Sequence, residues 1–235
     1  MLQDDAPFDE QTLAQLHTYL ARLPEPVRLV AWGNPAGNPG EQEAVRLGEY
    51  LAASFSAIEF QMRPRRINYA YYPVLGVMGL QDGEEVDYRV RFVGLPAGYQ
   101  INALIGAIQA VAFRASNIEP RTRIILSKLT QKVDLEILTT AENEASTVLT
   151  TLASGLAVAS AHINTYTLMT DVFPEAAFRY SVRQVPHLVI NGRYHVSSLV
   201  DEEEMLRHIA AALKPAEPRR QQPGRDTAPP TDENS

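Results

Sequence analysis

The sequence predicts an α/β protein made of two consecutive units, each with a mixed four-stranded sheet flanked by helices. Short runs rich in valine, isoleucine and leucine alternate with longer segments whose apolar residues have helical spacing. The order strand, helix, strand, connector, proline, strand, turn, strand and helix occurs twice, first from Val27 and again from Val133. A strand–helix–strand unit followed by a hairpin and a helix gives a mixed sheet covered by helices.

The composition is that of a globular protein with a substantial core. Of the 235 residues, 45% are hydrophobic, and the formal net charge is −7. This acidic balance argues against nucleic acid as the main partner, because phosphate binding needs a basic patch. No apolar run reaches the roughly 18–20 residues of a membrane span, and the acidic N-terminus does not resemble a signal peptide, so we expect a cytoplasmic protein. The absence of cysteine excludes disulfides, thiolate ligands and thiol catalysis by this chain.

The first unit is predicted to span residues 26–115, with an N-terminal helix in residues 1–25 packed on it. Phe8–Leu23 has apolar residues at helical spacing, Asp9 can cap this helix, and Pro24 breaks the pattern. The predicted strands of the unit are Val27–Trp32, Ala57–Met62, Pro73–Val77 and Asp87–Val93, and its predicted helices are Glu41–Ala53 and Tyr99–Phe113.

The second unit is predicted to span residues 116–213. Asn191-Gly192 is a strong two-residue hairpin signal, and Asp201 or Ser198 can cap the last helix. Residues 214–235 hold five prolines and almost no apolar side chains, so we expect a disordered tail. The predicted strands are Val133–Leu138, His162–Leu168, His187–Ile190 and Arg193–Val196, and the predicted helices are Pro120–Leu129, Ala141–Ser160, Asp171–Tyr180 and Asp201–Leu213.

A proline, Pro73 or Pro186, stands at the head of the third strand of each unit. This order resembles the thioredoxin fold, in which the peptide bond before that proline is cis and the proline faces the helix after the first strand. The segment Arg91–Gly98 resembles an R-F-x-G-I/L-P-x-G element of a glutaredoxin-like family with tandem units. That family comprises the N-terminal domain of the alkyl hydroperoxide reductase flavoprotein and the archaeal protein disulfide oxidoreductases. The sequence VPHLVINGRYHVSSLVDEEEMLRHI is similar to the end of their second unit, so the resemblance covers Val27–Leu213.

The resemblance implies a Cys-x-x-Cys motif at the start of that helix in the second unit. Aligning Val133–Leu138 with its counterpart puts the motif at Glu142-Asn143-Glu144-Ala145, with Glu142 at the attacking-thiol position and Ala145 at the resolving position. In the first unit the equivalent loop lies near Asn38–Glu41 and also lacks thiols. Neither site can exchange disulfides.

A cis bond at Val185-Pro186 would leave the backbone groups of Val185 free to pair with an extended peptide. We therefore expect a non-catalytic protein-binding or scaffold module with no catalytic residue, metal or cofactor. The resemblance implies a protein partner, of which a redox protein such as a peroxiredoxin is one example. Tyr72-Pro73 is a second candidate for a cis bond. The candidate groove residues are Thr140, Glu142, Asn143, Glu144, Ala145, Val185, Pro186 and His187.

Several alternatives stay open. Glu142 can be the last residue of a capping box, Thr139-Thr140-Ala141-Glu142, a carboxylate in the place of the thiolate, or both at once. A pair of His187 with Glu142 could transfer protons, but the sequence supplies no nucleophile. The whole chain could also be an accessory component of a thiol–disulfide or peroxide-reduction relay whose thiols come from a partner. It could instead be a structural subunit whose helix Ile101–Ala112 is buried between the units or against a second copy in a homodimer.

The loop GNPAGNPG after the first strand predicts no ligand. Its glycines, Gly33, Gly37 and Gly40, match neither G-x-G-x-x-G nor Gly-Lys-Ser/Thr, so phosphate binding is not expected. The five histidines show no paired metal-ligand spacing, so no metal site is predicted.

Overall fold

Eight strands and seven helices follow one another in the computed structural model, which describes residues 8–215. The strands are β1 (Val27–Trp32), β2 (Ile58–Arg63), β3 (Val74–Gln81), β4 (Glu84–Val93), β5 (Val133–Thr139), β6 (Ile163–Met169), β7 (His187–Ile190) and β8 (Tyr194–Val196). The helices are α1 (Glu10–Leu20), α2 (Pro39–Ser54), α3 (Gln100–Ala112), α4 (Pro120–Leu126), α5 (Ala145–Ala159), α6 (Pro174–Arg179) and α7 (Glu202–Ala212). Each corresponds to a predicted element, with ends shifted by at most four residues. From residue 216 on, the predicted tail lies outside the described residues.

The strands of both units form one sheet, in the order β2-β1-β3-β4-β6-β5-β7-β8. The order β2-β1-β3-β4 of the first unit matches β6-β5-β7-β8 of the second, with one parallel pair and two antiparallel pairs in each. The units join through parallel pairing of β4 with β6, from Val90 opposite Thr165 to Val93 opposite Leu168. The sequence predicts two four-stranded sheets, and their fusion into one is an additional finding.

Helix capping follows the sequence at both ends of the chain. The Asp9 carboxylate accepts from the Thr12 amide at 2.7 Å and caps α1, as predicted. Asp201 accepts from the Glu204 amide at 2.8 Å, and Glu204 reaches back to Asp201, which completes a capping box on α7. Of the two predicted caps for α7, Asp201 is the one used.

One face of the sheet packs on α2, α3, α5 and α7 and forms the main core. Helix α3 lies at the centre of this layer and packs against α1, α5 and β3. At Gly106 a Cβ atom would lie 2.3 Å from the Thr151 hydroxyl oxygen, so glycine is needed for the close approach of α3 and α5. The predicted helix Ile101–Ala112 is thus buried between the two units, and its burial needs no second copy.

The opposite face carries aromatic and charged side chains beneath α6 and the segment 64–73. The guanidinium groups of Arg66 and Arg91 lie 4.6 and 4.7 Å from the centre of the Trp32 ring. A Cβ atom at Gly76 would lie 2.6 Å from that ring, so a larger residue there would displace it. Arg91 also donates to the Tyr69 hydroxyl at 3.0 Å. This face therefore stacks guanidinium groups on aromatic rings. No helix between residues 8 and 215 combines the length and apolarity needed to cross a membrane.

Candidate functional site

Each unit brings the N-terminus of the helix after its first strand to the bend before its third strand. The peptide bonds Tyr72-Pro73 and Val185-Pro186, which form these bends, are both cis. In the first unit the Asn38 side-chain amide donates to the Tyr72 carbonyl at 3.4 Å. In the second unit the Asn143 amide donates to the Val185 carbonyl at 3.1 Å. The same contact therefore closes both bends.

The same two asparagines also cap their helices. The Asn38 side-chain oxygen accepts from the Glu41 amide at 3.0 Å, and the Asn143 oxygen accepts from the Ser146 amide at 2.9 Å. Each asparagine thus satisfies a free helix N–H with its oxygen and a bend carbonyl with its nitrogen. These contacts make Asn143-Glu144-Ala145-Ser146 the counterpart of Asn38-Pro39-Gly40-Glu41.

The contact to the bend falls on the second residue of Glu142–Ala145, the segment that the sequence aligns with the Cys-x-x-Cys motif, and that alignment stays a prediction. Asn143, and not Glu142, contacts the bend. The Glu142 side chain is exposed and lines a cleft with residues of α1 and the start of α3, among them Asp9, Gln15 and Tyr99. The position facing the proline bend belongs to a neutral amide and not to a carboxylate.

The predicted capping box at Thr139–Glu142 is wrong. Thr139 ends β5, and the chain then turns, with the Asn143 amide donating to the Thr140 carbonyl at 3.2 Å. The Tyr99 amide donates to the Ala141 carbonyl at 2.9 Å, which holds this turn to the start of α3. The turn delays the helix to Ala145, with Glu144 at the N-cap position, and the Asn143 side chain one residue earlier accepts from the Ser146 amide.

Ser146, the fourth residue of the second unit's segment Asn143–Ser146, is fully buried. Its hydroxyl donates to the Asn143 carbonyl at 2.8 Å and lies 2.5 Å from the Thr139 hydroxyl. Gln100 of α3 donates to the Ser146 hydroxyl at 2.9 Å and to the Asn143 carbonyl at 2.8 Å. The sequence analysis did not identify Gln100 or Ser146 as site residues. The shared pattern of an asparagine followed three residues later by a polar side chain, in Asn38–Glu41 and Asn143–Ser146, could have indicated this position.

In the first unit that position holds Glu41, a fully buried carboxylate. It accepts from the backbone amides of Asn34 and Asn38 at 2.8 and 2.9 Å, and from Arg65 Nε at 2.7 Å. The hydrogen bonds with Arg65, helped by those from the two amides, lower the Glu41 pKa to about 2. A Cβ atom on Gly37 would lie 2.0 Å from the carboxylate, so the glycine leaves room for it. The glycine-rich loop therefore surrounds an anion that the chain itself supplies.

His187 makes a different contact from the predicted pair with Glu142. Its Nε2 lies 3.0 Å from Nδ1 of His195 on the neighbouring strand β8. Burial, together with the nearby His195, lowers the pKa of His187. In residues 8–215 no group of three or more His, Asp or Glu side chains is placed to hold a metal ion.

The remaining groove candidates line the bend in different ways. Val185 is half-buried and packs beside Leu138, Tyr180 and Val189, and its carbonyl is already bonded to Asn143. The predicted free carbonyl is thus partly occupied. Thr140, Ala145 and Pro186 are half-buried, and Glu144 is exposed.

No protein-family model matches the sequence, and no curated protein matches it. Solved structures match the fold. The N-terminal domain of the alkyl hydroperoxide reductase AhpF from Enterococcus faecalis has a TM-score of 0.77 and 18% identity, over 86% of this chain and 99% of that one. A protein disulfide oxidoreductase from Aeropyrum pernix has a TM-score of 0.75 and 21% identity, over 87% and 93% of the two chains. The protein therefore has the thioredoxin-like fold, and both Cys-x-x-Cys motifs are absent from it.

Proposed function

We propose that the protein is a redox-inactive thioredoxin-like module that binds an extended segment of a partner protein at the bend before β7. The observation that carries this proposal is the Asn143 hydrogen bond to the Val185 carbonyl at 3.1 Å. It keeps the helix N-terminus and the bend together in a chain that has no thiol to use there. An arrangement built for contact, without the reacting atoms, supports binding and not catalysis.

The surface around the bend is open to an extended peptide. Arg183 and Gln184 in the bend are exposed, and the Val185 carbonyl has a second lone pair for a peptide N–H. Main-chain pairing with this carbonyl would supply the affinity.

Site-specific photo-crosslinking tests this function. A benzophenone side chain replaces the exposed Gln184, or as a control the exposed Glu203 of α7, and each protein is irradiated in lysate of the native organism. We expect a discrete partner from position 184 that is absent from position 203. Asn143→Ala removes the hydrogen bond that closes the bend and should lower that yield about tenfold, while Glu203→Ala should leave it unchanged. The same partner from both positions, or a yield unchanged by Asn143→Ala, would exclude recognition at the bend.

An accessory role in a thiol relay predicts a different outcome of the same experiment. The crosslinked partner would carry a reactive cysteine pair, and the yield would change when the lysate is reduced with dithiothreitol before irradiation. A pure binding module predicts a yield that does not depend on the redox state of the lysate.

A further inference from the structure

A cleft of about 410 Å³ opens on the second face of the sheet, where the two units meet. One wall comes from the segment 64–73 and the other from the end of α6, and strands β5 and β6 form the floor. It lies apart from the two asparagine-capped helix N-termini. We call it the tyrosine cleft. The lining residues that matter here are Tyr69, Tyr71, Tyr166, Tyr180, Asp134 and Glu136.

The two carboxylates of the tyrosine cleft are bonded only to neutral groups. Asp134 accepts from the Asn164 side-chain amide at 2.6 Å, and Glu136 accepts from the Tyr180 hydroxyl at 2.6 and 2.7 Å. Within residues 8–215, none of the ion pairs includes either carboxylate. The other half-buried or buried acids on the sheet and α2 each pair with arginine, and these are Glu41, Glu43 and Glu85. Burial raises the pKa of Glu136. A cation in the cleft would therefore relieve the cost of burying unpaired negative charge.

The walls are flat aromatic rings, which this face of the protein already uses to hold guanidinium groups. Arg66 and Arg91 stack on Trp32, and the Arg179 guanidinium lies 5.2 Å from the Tyr180 ring at the edge of the cleft. A guanidinium group has a flat face for such rings and several N–H donors in its plane for carboxylates. Since Glu136 lies directly opposite Tyr166 in the β5–β6 register, acid and ring are neighbours on the floor.

We propose that the tyrosine cleft binds the guanidinium group of a ligand, with Asp134 and Glu136 accepting its N–H groups and the tyrosine rings packing on its plane. The ligand is either a small alkylguanidine or an arginine side chain of a peptide, which share this chemistry. The site is independent of the proposed peptide contact at the bend.

Calorimetry and amide NMR shifts with butylguanidinium test the site, and butylurea serves as its neutral isostere. We expect saturable binding of butylguanidinium, shifts centred on β5 and β6, and at least tenfold weaker binding of butylurea. Acetyl-Gly-Arg-Gly-amide shows whether the guanidinium group belongs to a peptide or to a small molecule. Binding at least tenfold tighter than butylguanidinium assigns an arginine side chain, and equal or weaker binding assigns a small guanidine. If neither cation binds, or if butylurea binds equally well, the proposal is wrong.

Three substitutions and one control locate the binding. Glu136→Gln and Asp134→Asn should each weaken butylguanidinium binding roughly tenfold, because each removes a charged acceptor while keeping the side-chain volume. Glu175→Gln, an exposed acid of α6 that does not line the cleft, should change it less than twofold. Arg179→Gln should tighten binding about twofold to fivefold by removing a like charge at the rim, a gain that damage to the fold cannot produce. Unchanged affinity in both acid variants would overturn the proposal.

Discussion

Replacing Glu41 with glutamine is expected to lower the free energy of unfolding by about 2–3 kcal/mol at pH 7. The carboxylate is fully buried and accepts hydrogen bonds from two backbone amides and from Arg65. A glutamine there would lose the charge and turn an N–H₂ group toward N–H donors. The figure allows for solvent screening of Arg65, whose side chain is 49% exposed. Urea unfolding of the two proteins at pH 7 measures the difference.

The pH dependence of that difference identifies its cause. The Glu41 pKa is lowered in the folded protein from 4.5 to about 2, so the native state holds the proton less tightly than the unfolded chain does. The stabilisation is therefore complete above about pH 5 and is lost as the pH falls from there toward about 2. We expect the unfolding free energies of wild type and Glu41→Gln to converge over this range.

Glu43→Gln is the matched control for this prediction. Glu43 lies on the same helix, but its side chain is 42% exposed and pairs with Arg46 at the surface. Such a surface pair contributes little to the free energy of unfolding. We therefore expect Glu43→Gln to change it by less than about 0.5 kcal/mol, with no comparable pH dependence. Equal losses in the two variants would mean that the buried carboxylate has no special role.

Introducing two cysteines, Asn143→Cys and Ser146→Cys, is expected to create thiol–disulfide exchange in a chain that has none. Position 143 lies at the N-terminus of α5, where free amides and the helix dipole stabilise a thiolate. Position 146 is buried three residues later on the same side of the helix. Insulin reduction driven by dithiothreitol should rise at least about tenfold above the wild-type background, because the variant has an activated thiolate and the wild type has no thiol.

The pair Glu142→Cys and Ala145→Cys controls for the mere presence of two thiols. Glu142 is exposed in the turn before the helix, so a cysteine there gains little from the helix N-terminus. We expect this variant to stay close to background. Higher turnover from this pair than from the 143/146 pair would support the alignment deduced from the sequence. Circular dichroism of both variants checks that the fold survives the loss of the Ser146 hydrogen bonds.

Local signals in the sequence were sufficient to predict the elements of the fold. The Asn191-Gly192 hairpin, the caps at Asp9 and Asp201, and the prolines before the third strands each depend on a few adjacent residues. The pairing of β4 with β6 depends on strands far apart in the chain, and no local pattern specifies it. The sequence therefore predicts two separate sheets where the structure has one.

The contacts of the site could not be predicted from the sequence for the same reason. Thr139–Glu142 matches a local capping motif, while the contacts that decide the structure are distant. Asn143 bonds Val185 across 42 positions, and Gln100 bonds Ser146 across 46. Glu41 is another residue whose role the local sequence does not reveal. From the sequence it is an ordinary acid in the first turn of a helix, and its partner Arg65 lies 24 residues away.

Single-cysteine variants test most directly whether Asn143 holds the place of the attacking thiol. Asn143→Cys and Glu142→Cys each put one thiol into an otherwise cysteine-free chain, and the pH dependence of iodoacetamide alkylation gives its pKa. A hydrogen bond from the Ser146 amide to the side chain at position 143 should stabilise a thiolate there. We therefore expect a thiol pKa of about 7.5 or lower at position 143 and about 8.5, the free value, at position 142. A lower pKa at position 142 than at position 143 would contradict the site described for the second unit.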